Sequence, residues 1–96
     1  MHSYCSKNVS SGNYTLTFQS GSGNQTNVTG ALSLTGNATN NLKLRSSSAA
    51  QWYLNATGST TLTDLDVEYS NAVTALTANS SVTGPSGNNT GWTLNP

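Results

Sequence analysis

Residues Gln51–Tyr69 read QWYLNATGSTTLTDLDVEY. Gln51–Asn55 puts Trp52 and Leu54 on one face of an extended chain. Leu62–Tyr69 puts Leu65, Val67 and Tyr69 on one face and Asp64, Asp66 and Glu68 on the other. Alternation at period two marks a half-buried strand. The small polar residues of Ala56–Thr61 suit the turn between the two strands. The unit is strand, turn, strand, and fainter copies of it flank it on both sides.

Upstream, Tyr14–Phe18 (YTLTF) places Tyr14, Leu16 and Phe18 on one face. Gln19–Asn24 is a Gly/Ser turn, and Thr26–Thr29 is a short strand around Val28. Ala31–Thr35 turns Leu32 and Leu34 inward. Asn41–Arg45 turns Leu42 and Leu44 inward and Lys43 and Arg45 outward. Downstream, Ala72–Ala78 carries Val73, Ala75 and Leu76, Ser81–Thr83 centres on Val82, and Gly91–Leu94 ends on Trp92 and Leu94. No window has an apolar stripe at helical spacing, and Ser, Thr, Asn and Gly disfavour helix interiors. Helix is expected nowhere.

The 96 residues suffice for one domain. Hydrophobic residues make up 33% and charged residues 6%, while Ser, Thr, Asn and Gly exceed half. Such chains are disordered when net charge is high. Here it is zero and the apolar residues are regularly spaced, so a folded β protein with a thin core is expected. Three basic residues cannot build the patch that nucleic acid needs. No apolar run reaches the roughly 18 residues of a membrane helix. Met1–Tyr4 lacks the basic-then-apolar order of a signal peptide, so any export signal is expected outside this chain. Cys5, being single, is a free thiol or an intermolecular link.

Aligning alternate strands gives two columns. One begins near Tyr14, Ala31, Gln51, Ala72 and Gly91, the other near Thr26, Asn41, Thr61 or Leu62, and Ser81. Successive members lie roughly 15 to 21 residues apart, as in repeat folds. The expectation is a short right-handed parallel β-helix, a β-solenoid of about four to five coils stacked about 4.8 Å apart. Residues 1–12 are a tail or cap and 13–96 the single solenoid domain. One core stack runs Leu16/Phe18, Leu32/Leu34, Trp52/Leu54, Val73/Leu76, Trp92/Leu94. The other runs Val28, Leu42/Leu44, Leu65/Val67, Val82. The alternative is an antiparallel β-sandwich, whose strands and Gly-Asn turns fall at similar spacing. Stacking in register sets Lys43 and Arg45 beside Asp64, Asp66 and Glu68 as a salt ladder, and this favours the solenoid.

The run LKLRSSSAAQWYLNATGSTTLTDLDVEYSNA, with YTLTFQSG, GALSLTGN and SGNNTGWTL, resembles a module of secreted bacterial right-handed parallel β-helix proteins. The likeness spans Tyr14 to Leu94. It implies an exported, adhesin-like or cell-surface β-helix without catalytic residues.

Each candidate site has a plainer reading beside it. Asp64, Asp66 and Glu68 could ligate Ca²⁺ or share acid/base work on a polysaccharide, but the salt ladder explains them, and no other acidic residue exists to complete a site. Trp52 and Trp92 are expected in the core, while Tyr53 faces outward and is the better sugar-stacking residue. Thr15/Thr17 and Thr61/Thr63 resemble ice-binding arrays, but Tyr53, Lys43 and Arg45 interrupt them. Eight Asn-x-Ser/Thr sequons follow from composition as readily as from glycosylation. His2 and Cys5 are too few for a metal site.

The sequence therefore points to a non-catalytic extracellular or surface module, structural or adhesive, which self-associates through its coil ends and takes no cofactor. The runner-up is a carbohydrate-binding domain using Tyr53, Asp64, Asp66 and Glu68.

Overall fold

The computed structural model describes residues 2–4, 7–10, 14–37 and 39–96, with side chains from residue 14 onward. Cys5 lies outside them. Twelve strands follow one another: β1 (His2–Tyr4), β2 (Lys7–Ser10), β3 (Thr15–Phe18), β4 (Thr26–Val28), β5 (Leu32–Thr35), β6 (Leu42–Ser46), β7 (Trp52–Ala56), β8 (Thr60–Thr63), β9 (Leu65–Val67), β10 (Ser70–Ala78), β11 (Val82–Thr83) and β12 (Thr90–Leu94). The only helical piece among the described residues is a 3-10 turn at Ser22–Asn24.

The strands form three sheets, ordered β1-β4-β7-β10-β12, β2-β5-β8 and β3-β6-β9-β11. Their pairings are parallel throughout. The chain visits the three sheets in a fixed cyclic order, an arrangement compatible with a β-solenoid. The antiparallel sandwich has no counterpart in these pairings. Parallel neighbours cannot be joined by a hairpin, because the chain must travel around before it returns beside itself. Here the route back runs through the other two sheets.

Register stacks like residues. Leu16 lies beside Leu44, and Leu44 beside Val67. Leu34 lies beside Leu62, Val28 beside Ala56, and Leu54 beside Ala72. Leu32, Leu34, Leu42, Leu44, Trp52, Leu54, Leu65, Val67 and Leu76 are buried. Leu16, Phe18, Trp92 and Leu94 are partly buried against them. Each fully buried Leu or Val contributes about 1.5–3 kcal/mol of transfer free energy.

The structure corrects the sequence reading in five places. The core has three columns rather than two, so Leu16 stacks on Leu44 and not on Leu32. Two strands, β1 and β2, lie within the stretch read as a tail or cap. Leu62–Tyr69 is not one strand: Asp64, at φ 55, divides β8 from β9. Val82 is 42% exposed because it pairs in register with outward Asp66, and Ser81 takes the inward position instead, buried with its Oγ accepting the Leu65 N–H. Val73 is 51% exposed because β10 bulges between Asn71 and Leu76, which pair with Thr90 and Trp92. Gly91, at φ 77, makes room for that bulge: a Cβ there would lie 2.3 Å from the Ala72 carbonyl oxygen.

Coil length also varies. Register partners run from Thr26 to Leu54, then Leu42 to Leu65, then Asp66 to Val82. The turns shorten along the chain, whereas a near-constant period was expected.

Candidate functional site

The outer faces of two sheets carry the candidate residues. On the four-stranded sheet, β6 points Lys43 and Arg45 outward by simple alternation, and β9 points Asp66 outward. Their register sets Lys43 beside Asp66 and Leu44 beside Val67, which brings Arg45 level with Glu68. Arg45 Nη2 lies 3.1 Å from Asp66 Oδ1 and Nε lies 3.4 Å from Glu68 Oε1. Arg45 Nη1 also donates to the backbone oxygens of Asp66 (2.8 Å) and Leu44 (3.2 Å).

This cluster is shielded from above. The 84–89 turn crosses it, and Gly84 is its lid: a Cβ there would come within 2.9 Å of Glu68 Cβ and 3.1 Å of Asp66 Oδ1. The Ser86 N–H donates to Glu68 Oε2 at 2.6 Å. Asp66 Oδ1 is buried and accepts no hydrogen bond among the described residues. The Arg45 approach is therefore a charge contact rather than an aligned bond. The three side chains are 14–20% exposed, so the pairing sits between an exposed ion pair of about 0–1 kcal/mol and a buried one.

Chemically the cluster is closed. Both carboxylates face one guanidinium, and Glu68 is also held by a backbone N–H. Neither is presented as a free acid or base flanking a substrate bond. Asp64 stands apart from them. Its carbonyl accepts the Leu42 N–H at 2.9 Å and its N–H donates to the Asn79 carbonyl at 3.0 Å. It is a turn residue in a left-handed conformation that Asp tolerates better than most. The expected five-residue ladder is thus a trio, Arg45 with Asp66 and Glu68. Among the described residues neither Lys43 nor Asp64 makes an ion pair within 4.0 Å. No group of three His, Cys, Asp or Glu that could hold a metal is found among the described residues.

Tyr53 lies on a different sheet, the five-stranded one, so it does not share a surface with the carboxylates. It is half-buried and in register with Asn71. Amides surround it. The Gln51 side chain donates to the Asn88 carbonyl (2.8 Å) and Thr90 Oγ1 (3.0 Å), and accepts from Asn71 (3.3 Å). Asn55 accepts from Thr74 at 2.9 Å and stands beside Asn27. An aromatic ring framed by fixed amides offers an apolar platform and hydrogen-bonding groups together, a combination that suits a polyhydroxylated ligand.

The tryptophans face inward. Trp52 is fully buried, and its Nε1 donates to the Glu68 carbonyl at 3.1 Å. Trp92 Nε1 donates to Ser70 Oγ at 2.8 Å. An apolar cavity of about 30 Å³ between Leu16, Phe18, Val28 and Leu54 is too small for a sugar and has about the volume of one water in the liquid. Thr15 and Thr17 are followed in register by Lys43 and Arg45, so no threonine array continues there. Among the sequons, Asn37 caps its own turn by accepting from the N–H groups of Thr39 and Asn40, and Asn79 bonds side chain to side chain with Asn95 at 3.1 Å.

Gly84, Ser86, Gln51 and Ser81 were not singled out from the sequence. Gly84 precedes Pro85 and reads only as loop. Gln51 reads as the start of a strand, and nothing local says that it bridges to Asn88. No helix is long and apolar enough to cross a membrane among the described residues. No family model, no curated protein and no solved structure matches the chain.

Proposed function

We propose that this chain is a non-catalytic structural or adhesive module, a right-handed parallel β-helix of four to five coils working at the cell surface or outside the cell, and that it self-associates through its coil ends. One observation carries the reading: parallel strands are stacked in cyclic order, and β12 is bonded on one side only, to β10. An open strand edge is a template for another strand, and solenoids ordinarily need capping there. The closed Arg45 cluster adds support, because the best-placed carboxylates are spent on holding the fold. The resemblance of its strand-and-turn units to secreted bacterial β-helix modules points the same way.

Light scattering coupled to size exclusion, with negative-stain images of the same sample, tests it. A defined oligomer or fibres at micromolar concentration are expected. A monodisperse monomer at high concentration overturns the self-association.

A second reading, carbohydrate binding at Tyr53, rests on the amide frame around that ring. A glycan array is its test. Absence of any binding ends it, and binding unchanged by Tyr53→Ala removes Tyr53 from it.

A further inference from the structure

The two ends of the stack are unlike. At the N-terminal side, β1, β2 and β3 each begin a sheet, and Thr15 finds its partner as far along as Lys43. At the C-terminal side, Asp66 already meets Val82, and the three-stranded sheet continues only as an isolated bridge of Thr63 to Asn79. A long coil does not superpose on a short one. Head-to-tail stacking would leave turns overhanging and backbone groups unpaired. The C-terminal end set against a second copy of itself matches by symmetry, and such a contact closes rather than propagating.

That end also lacks the devices that keep edges apart. From Tyr69 to Pro96 there is no Lys, Arg, Asp or Glu, whereas edge strands are commonly blunted by charge. Trp92 and Leu94 are only partly covered by the core. The edge has a defined hydrogen-bonding phase as well. Asn95 turns inward to its neighbours, its N–H donating to the Ala78 carbonyl (2.9 Å) and its carbonyl accepting from the Ser81 N–H (2.7 Å). Successive residues of a strand bond to opposite sides. Thr93 therefore turns the same way as Asn95, and Trp92 and Leu94 direct their N–H and C=O groups to the open edge.

We infer that two copies pair β12 against β12 in antiparallel fashion, about a twofold axis at Thr93. Trp92 of one copy then exchanges both backbone hydrogen bonds with Leu94 of the other, and the reciprocal pair does the same. The five-stranded sheet becomes continuous across the dimer, and the apolar pairs at the two ends cover each other. The inference rests on the self-association proposed above and adds its partner, register and closure.

Thr93 opposes its own copy as a non-hydrogen-bonded pair, with Cα atoms about 4.5 Å apart, which a disulfide can bridge. Thr93→Cys and, separately, Thr17→Cys at the opposite end are made in a Cys5→Ser background and oxidised. The expected result is a dimer by light scattering, cross-linked through Thr93→Cys and not through Thr17→Cys. Thr93→Lys is expected to raise the dimer dissociation constant at least about fivefold through like charges facing across the axis, with the circular dichroism unchanged. Fibres, or a dimer that cross-links only through Thr17→Cys, overturn the twofold geometry and leave self-association standing. Monomers in every variant at millimolar concentration overturn both.

Discussion

Phe18 and Trp52 stack face to face, with ring centroids 3.9 Å apart and planes 8° from parallel. They are 34 positions apart in the sequence and belong to different sheets. Phe18 ends β3 and Trp52 opens β7, so the contact ties two corners of the stack together. An aromatic pair contributes about 0.5–1.5 kcal/mol beyond the area it buries. Phe18→Leu is therefore expected to destabilise the fold by about 1–2 kcal/mol and to alter Trp52 fluorescence in urea titrations. A loss below about 0.3 kcal/mol would show that the stack adds nothing to simple burial.

Trp52→Phe removes the indole N–H and leaves the Glu68 carbonyl without that donor. An unsatisfied buried group costs about 1–3 kcal/mol, with the lost volume added to it. The expected cost exceeds that of Phe18→Leu in the same titration.

Arg45→Met strands two carboxylates under the 84–89 turn. Because these side chains retain some solvent contact, the expected loss is about 1–3 kcal/mol, below the figure for a fully buried pair. The double variant Arg45→Met with Asp66→Leu should recover part of it. Chemical denaturation of the three variants measures the coupling, and simple additivity would sink the clamp.

Gly91→Ala combines a positive φ with a Cβ that meets the Ala72 carbonyl oxygen. The expected loss is at least about 2 kcal/mol. It should act locally on the β10 bulge and on β12, so hydrogen exchange of Thr90–Leu94 should speed up more than that of β6. Uniform acceleration would place the damage elsewhere.

Asp64→Gly tests whether Asp64 is a turn residue or a ligand. Glycine relieves the left-handed strain at φ 55, offset by its larger unfolded-state entropy. Stability is expected to stay within about 1 kcal/mol of the parent and glycan-array binding to stay unchanged. Loss of binding would return Asp64 to a ligand surface.

Much of this architecture was legible along the chain. Trp52 and Leu54, Leu42 and Leu44, and Leu65 and Val67 alternate with polar residues, and alternation is a local property that burial on one face imposes on any strand. The approach of Arg45 to Asp66 followed from the same pattern once the strands were taken to stack. Other features depended on partners distant in sequence. Asp64 looks like a strand residue by period, yet the turn into β9 places it at positive φ. Val82 looks like core by hydropathy, yet its register with Asp66 turns it outward and gives the inward place to Ser81. Two columns or three could not be told from spacing, because turns of unequal length change the period without changing the alternation. Local chemistry determined which residues extend and which face is apolar. Which strands meet, in what register, and which end is left open are set by closing the coil, where turn length, backbone hydrogen bonding and the volume of Trp52 must be satisfied together.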